Sequence, residues 1–376
     1  MNNKQKQRVL LANSRLQTLA ENFKMSAKNH IGFPGSVDFD YEPVYRLFGH
    51  MLNNIGDPYR DPTFRLHTKP IEQEVIAFFA DLFRAPKDDR WGYVTNGSTE
   101  GNLYALFLAR ELYPEGMVYF SVSTHYSVQK NIHLLRMPSI TIRAQANGEI
   151  DYDDLAQVIG AHRDRPAIVF ANIGTTMHEA RDDVKKIKKV LAAQAIINHY
   201  VHSDAALSGV VAALTEPHHP FDFEDGADSV VVSGHKFIGS PMPCGVVVVR
   251  KSLKDRIGNL VQYINTHDTT ISGSRNGHTP LLLWYAIQKF GVEGFRKRAQ
   301  QGITTADYAL ERLLAIGWDA WRNLHTLTVM LATPPVDLIN KWQLSTASGW
   351  SHIVCVPGVT KKHIDRFIDE LSNVAN

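Results

Sequence analysis

Cysteine is almost missing from this chain: Cys244 and Cys355 are the only two in 376 residues. Two cysteines cannot build a disulfide framework, and their spacing matches no metal-binding motif. Neither a disulfide scaffold nor a metal centre is expected. An excess of one charge is missing too. The 40 lysines and arginines stand against 38 aspartates and glutamates, a net charge of +2. That balance offers no field to attract nucleic acid or an anionic membrane surface. No apolar run approaches the ~20 residues that a membrane span needs. Residues 1–15 are polar and contain no apolar core of a signal peptide. Repeats and low-complexity tracts are absent. The expectation is a cytoplasmic enzyme with no nucleic acid and no membrane among its partners. What is present is ordinary for a soluble globular protein, with 44% hydrophobic and 21% charged residues. The length suits roughly two domains of about 150 residues each.

From about residue 91 to 249, apolar runs alternate with helical patterns. Met117-Val118-Tyr119-Phe120, Ala167-Ile168-Val169-Phe170 and Val246-Val247-Val248-Val249 are examples of the runs. Helical patterns lie between them, over 99–112, 126–135 and 184–194. Continuously apolar strands separated by helices predict an α/β fold with a mostly parallel sheet covered on both faces. Ligands of such sheets bind at the C-terminal ends of the strands. Residues 280–315 read as mainly helical. A short α/β tail follows, with a strand over 327–331 and a closing helix over 361–374. The expected divisions are an N-terminal helical segment at 1–48, a large domain at 49–290 and a small C-terminal domain at 291–376.

Two residues close successive strand-like runs. Lys236 follows Ser229-Val230-Val231-Val232 through Ser233-Gly234-His235, and Asp204 follows the apolar segment 196–201. A lysine beside apolar walls is penalised as an ammonium, which frees its amine to attack a carbonyl. A lysine on the aldehyde and an acid against the pyridine nitrogen are what a pyridoxal phosphate enzyme needs. Tyr93 to Leu103 reads as a strand, a glycine-bearing turn and a helix start. Ser98 and Thr99 there either cap an ordinary helix or, with the free amides of the first turn, cradle a phosphate. With Lys236 and Asp204 present, the cradle is favoured. His125 is placed to stack on a flat ring, contact a substrate carboxylate or move a proton; its plain alternative is a surface or core histidine. Asn172-Ile173-Gly174-Thr175-Thr176 is either a polar loop that ends a strand or a loop beneath the ring, with Thr175 directed to the cofactor. The segment 268–278 is either a linker or an anion contact. Its hydroxyls, Thr270 among them, and Arg275 suit the phosphate of a neighbouring subunit.

Together these motifs resemble the group II pyridoxal-phosphate amino-acid decarboxylases. Further matches lie at Val37 to Tyr41, Asn53 to Pro58, Gly148 to Asp151 and Ser208-Gly209. The resemblance implies PLP fold type I, the aspartate-aminotransferase-like fold, with a homodimer whose sites lie at the interface. It implies Lys236 as the lysine that bonds the cofactor and Asp204 on the pyridine nitrogen. His125 would stack on one ring face and Ala206 pack on the other. Ser98, Thr99, Ser233 and His235 would hold the phosphate, and Tyr263 would serve as proton donor. Within the group, Ala205 to Gly209 and Trp321-Arg322-Asn323 look like the histidine enzymes. Asp57-Pro58 and Leu66-His67 look like the serine enzymes. The expected reaction is L-histidine to histamine and CO2, with L-serine to ethanolamine as the alternative and an aminotransferase as the more distant rival.

Overall fold

The computed structural model describes residues 2–36, 38–256, 259–261 and 266–375. Seven strands form the central sheet: β1 (Trp91–Thr95), β2 (Met117–Ser121), β3 (Ser139–Ile142), β4 (Ala167–Asn172), β5 (His199–Asp204), β6 (Ser229–Ser233) and β7 (Gly245–Val249). Their spatial order is β1-β7-β6-β5-β4-β2-β3. Only β7 runs against its neighbours; it pairs antiparallel with β1 and β6. Every residue of β1, β2, β4, β6 and β7 is buried. That is why these strands read as unbroken apolar runs rather than as alternating ones.

The parallel arrangement brings the C-terminal ends of β1, β2, β4, β5 and β6 to one edge of the sheet. Thr95, Ser121, Asn172, Asp204 and Ser233 end those strands. Helix Ser98–Leu112 lies directly on the sheet, because Gly101 has no side chain. A Cβ there would stand 2.3 Å from Val231 Cγ2, far inside van der Waals contact. The helix start is therefore held close above the ends of β1 and β6.

A hairpin of β8 (Asn259–Val261) and β9 (Thr266–Asp268) precedes the long helix His278–Ala315. That helix is broken at Gly291, whose φ of 57° with ψ of −173° is a conformation that glycine adopts without strain. Beyond it, β10 (Ala320–Trp321), β11 (Thr328–Ala332), β12 (Ser345–Ala347) and β13 (Trp350–Val354) form an antiparallel sheet in the order β10-β11-β13-β12. Helix Lys361–Ala375 closes the chain. At the other end, helix Asn3–Ala27 has no buried residue, and Leu10, Leu11, Leu16 and Phe23 on it are all exposed.

Candidate active site

A cavity of about 600 Å³ lies at the C-terminal edge of the sheet. It is lined by Ser98, Thr99, His125, Thr175, Asp204, Ala206, Ser233, His235 and Lys236. Nine residues singled out in the sequence, from five different stretches of chain, thus share one cavity.

Lys236 sits three residues beyond β6. Its carbonyl accepts a hydrogen bond from the Ser36 amide at 3.0 Å, so the N-terminal segment fixes its backbone. Burial pushes its amine below the ordinary lysine range, while the charges of Asp204 and Glu179 pull the other way. Desolvation is the larger effect. Although part of its surface opens onto the cavity, the amine is surrounded by protein, and burial shifts its balance towards the uncharged form.

Asp204 ends β5 with both oxygens engaged. Oδ2 accepts from Asn102 Nδ2 at 2.8 Å and Oδ1 from the Ala206 amide at 3.2 Å. Two donors leave lone pairs for a third, which is what an acceptor for a pyridinium N–H requires.

The helix Ser98–Leu112 begins at Gly97, with φ of 143° and no side-chain cap. The first-turn carboxylate, Glu100, does not fill that end. It accepts from Tyr93 Oη, Asn96 N and Asn96 Nδ2 at 3.1, 3.0 and 2.8 Å, which shapes the turn before the helix. Ser98 Oγ and Ser233 Oγ meet at 2.8 Å, and His235 Nδ1 lies 2.8 Å from the Cys244 carbonyl. Free amides, the positive end of the helix dipole and two hydroxyls make an anion site. The ordinary-cap reading of Ser98 and Thr99 does not hold, since no side chain caps this terminus.

His125 is the N-cap of helix Tyr126–Leu135, and its Nδ1 accepts from the Ser127 amide at 3.3 Å. Nδ1 is thereby the acceptor nitrogen and Nε2 carries the hydrogen of the neutral ring. Burial pushes its pKa below the ordinary histidine value, with Asp204 opposing and Lys236 and Lys130 adding to the fall. Thr175 Oγ1 accepts from the Ala180 amide at 3.0 Å. Asn172, at the end of β4, is tied to the buried Asp182 carboxylate through both its amide and its side chain.

Two expected contacts are not in this cavity. Thr270 does not line it; its hydroxyl donates to the Ser272 carbonyl at 2.9 Å. Arg275, expected as an anion contact, is buried and ion-paired with Glu72, and it donates to the Gly56 carbonyl at 2.9 Å. Its charge is neutralised within its own protomer, because Glu72 on helix Lys69–Leu82 is itself fully buried and needs a cation. Tyr263 lies outside the described residues. Asn102, which lines the cavity and holds Asp204, was not singled out from the sequence. The signal was its place four residues after Ser98, one turn up the same helix face.

The segment 47–317 matches the model of the pyridoxal-dependent decarboxylase conserved domain. The chain belongs to that family. Pyridoxal phosphate is therefore its cofactor, and the cavity fits it. The uncapped helix start suits the phosphate, the carboxylate suits a ring nitrogen, and the lysine of lowered pKa suits an aldehyde. Among relatives of this decarboxylase, a histidine decarboxylase of Mesorhizobium japonicum is 51% identical over 91% of this chain and 93% of its own length. A histidine decarboxylase of Morganella morganii is 44% identical over 91% of each chain. In three dimensions the chain superposes on the L-methionine decarboxylase of Streptomyces sp. 590 with a TM-score of 0.89. That match has 23% identity and covers 99% of this chain and 96% of the other. The glutamate decarboxylase of Lactobacillus brevis gives a TM-score of 0.80 at 16% identity, over 100% and 92% of the two chains. At such identities these structures establish the fold, PLP fold type I, and not the substrate.

Proposed function

We propose that this decarboxylase converts L-histidine to histamine and CO2. The observation that carries the reading is that Lys236 and Asp204 line one cavity in a chain half identical, over nine-tenths of its length, to a histidine decarboxylase. When bound, pyridoxal phosphate supplies an aldehyde for the substrate amine and a ring that accepts the electrons left behind by CO2.

The chain's own residues do the rest. Lys236, whose burial lowers the pKa of its amine, would hold the cofactor through its aldehyde and give way to the substrate amine. Asp204 holds a proton at the ring nitrogen. Ser98, Thr99, Ser233 and His235, with the helix start, hold the phosphate, and Thr175 contributes a hydroxyl beside it. Ala206, which lines the cavity, would pack on one ring face. His125 would pack on the other and offer its Nε2–H to the substrate carboxylate. After CO2 departs a proton returns to Cα. His125 and Lys236, which both line the cavity, are the candidates to carry it among the described residues, and Tyr263 is the candidate outside them.

The active unit in this reading is a homodimer in the cytoplasm. Helices in water draw most of their stability from tertiary packing, yet Asn3–Ala27 buries no residue in its own protomer. A second copy of the chain would cover its leucines and bring Thr270 towards the partner's phosphate.

Of the residues that resemble the serine enzymes, Asp57 has structural employment. Asp57 Oδ1 accepts from the Tyr59 amide and Oδ2 from Thr269 Oγ1, at 2.8 and 2.9 Å. Lys69 Nζ donates to the Asp57 and Arg60 carbonyls at 2.8 and 2.7 Å. Asp57, Pro58, Leu66 and His67 do not line the cavity of their own protomer. A panel of amino acids with CO2 detection tests the substrate. A pocket that hydrogen-bonds a ring nitrogen discriminates by up to about 10⁴-fold, whereas apolar size selection gives only about 10–200-fold. A kcat/KM ratio of histidine over serine well above a hundredfold supports the reading. A ratio below one makes the enzyme a serine decarboxylase.

A further inference from the structure

Behind Asp204 lies a file of polar side chains on which decarboxylation makes no obvious demand. Tyr200, His202 and Asp204 alternate along β5 and so share one face of the sheet. Ser229 opens β6 directly opposite His202. Asn102 reaches down from helix Ser98–Leu112. Asn102, His202, Ser229 and Tyr200 are each at most 2% exposed.

Their hydrogen bonds have one direction. Asn102 Nδ2 donates to the Asp204 carboxylate, so Asn102 Oδ1 faces away from it. His202 Nε2 lies 2.9 Å from that Oδ1. An amide oxygen only accepts, so Nε2 carries the hydrogen. Burial drives the His202 pKa down to about 3, so the ring is neutral and Nδ1 holds a lone pair. Ser229 Oγ, 2.7 Å away, therefore donates to Nδ1. Tyr200 Oη in turn donates to Ser229 Oγ at 2.8 Å. Each donor is specified by the one before it, and the file ends on Asp204.

We propose that His202, backed by Ser229 and Tyr200, is a positioning residue for the electron sink. It locks the Asn102 amide so that Asp204 Oδ2 always receives an N–H and the carboxylate keeps a single orientation towards the ring nitrogen. The inference rests on the reading that Asp204 meets that nitrogen. A histidine buried only for packing would leave the same density of side chains and no such dependence. The two differ in what an isosteric substitution does. In His202→Gln the amide nitrogen of Gln can still donate to Asn102 Oδ1. In His202→Met the volume remains and the donor is gone, so Asn102 Oδ1 is left unpaired and the amide is held only from the Asp204 side.

The test is nitrogen-15 magnetic resonance of holoenzyme carrying cofactor labelled at the ring nitrogen, read beside kcat and KM. His202→Met should move the ring-nitrogen signal towards the unprotonated position and lower kcat tenfold or more, with KM changed less than threefold. His202→Gln should restore both to near the wild-type values. A folded His202→Met enzyme with the wild-type nitrogen signal and kcat would overturn the proposal. So would a Gln variant as impaired as the Met variant. If the Met variant does not fold, Ser229→Ala removes one hydroxyl from behind the ring; a shifted nitrogen signal supports the relay, and an unchanged one overturns it. Asp204→Asn is the control. If it leaves the nitrogen signal in place, the cofactor reading fails first and the relay with it. If it moves the signal while the His202 and Ser229 variants do not, the relay alone fails.

Discussion

Replacing Asp204 by Asn keeps the shape of the side chain and removes its charge. The two neighbours of the carboxylate, Asn102 Nδ2 at 2.8 Å and the Ala206 amide at 3.2 Å, are both donors. A carboxylate satisfies both. An amide satisfies one, unless Asn102 turns over and offers its oxygen. That turn presents Asn102 Nδ2 to His202, whose proton must then sit on Nδ1 and point at Ser229. Every link in that reversed file still has a donor and an acceptor. The variant is therefore expected to fold and bind cofactor, with a stability loss of no more than about 1–3 kcal/mol. What it cannot recover is the charge that holds a proton on the ring. A hydrogen bond to a charged group contributes about 1.5–3 kcal/mol. At 1.36 kcal/mol per tenfold, that is about 10- to 150-fold in kcat. The assay is CO2 release at saturating cofactor, with the cofactor Kd and substrate KM measured on the same preparation. A fall in kcat of that size with cofactor still bound is expected. Cofactor-loaded Asp204→Asn enzyme turning over within about threefold of wild type would refute the electron-sink role.

Three further outcomes follow from the same geometry. Glu72 accepts from Asn54 Nδ2 at 2.8 Å, from the Val94 amide at 2.9 Å and from Arg275. Glu72→Ala strands the Arg275 charge in the core and should cost about 3–5 kcal/mol in chemical denaturation, whereas a surface pair would cost under about 1 kcal/mol. Gly101→Ala puts a Cβ 2.3 Å from Val231 Cγ2, so it should lose about 1–3 kcal/mol of stability through overpacking. Because the helix start moves with it, cofactor affinity should fall too, and an unchanged Kd would separate that helix from the phosphate. In the apoprotein the Lys236 amine titrates below its ordinary value of 10.5, because burial disfavours the charge. The amine must be uncharged to react, so the rate of cofactor capture should rise with pH and level off before pH 10.5. Asp204 raises that pKa, so Asp204→Asn should move the midpoint lower still; a wild-type midpoint at or above the ordinary value contradicts this.

The sheet was legible because β1, β2, β4, β6 and β7 are buried along their whole length and are rich in valine, isoleucine and aromatic residues. The helix read over 126–135 is the helix Tyr126–Leu135, and the strand read over 327–331 is β11, Thr328–Ala332. Lys236 and Asp204 stood out because each ends such a run. β5 was harder. Its second half is His202-Ser203-Asp204, which is buried and polar. Polarity reads as the end of a strand unless the partners are known, and those partners, Asn102 and Ser229, lie on a helix and on another strand. The spacing Tyr200-x-His202-x-Asp204 was the available signal, since period two places all three on one face. Arg275 was misread for the same reason. An arginine among hydroxyls looks free to bind an anion, and nothing nearby in the sequence announces that Glu72, two hundred residues earlier, already neutralises it. Short strands such as β3 and β12, with exposed and half-buried residues, carry too little apolar pattern to be read at all.

The most direct test of the account is the identity of the lysine that bonds pyridoxal phosphate. The holoenzyme is reduced with borohydride, digested and mapped. The pyridoxyl group is expected on Lys236, in the peptide that continues from β6 through Ser233-Gly234-His235. A pyridoxyl group on any other lysine, with Lys236 unlabelled, would contradict the placement of the whole active site.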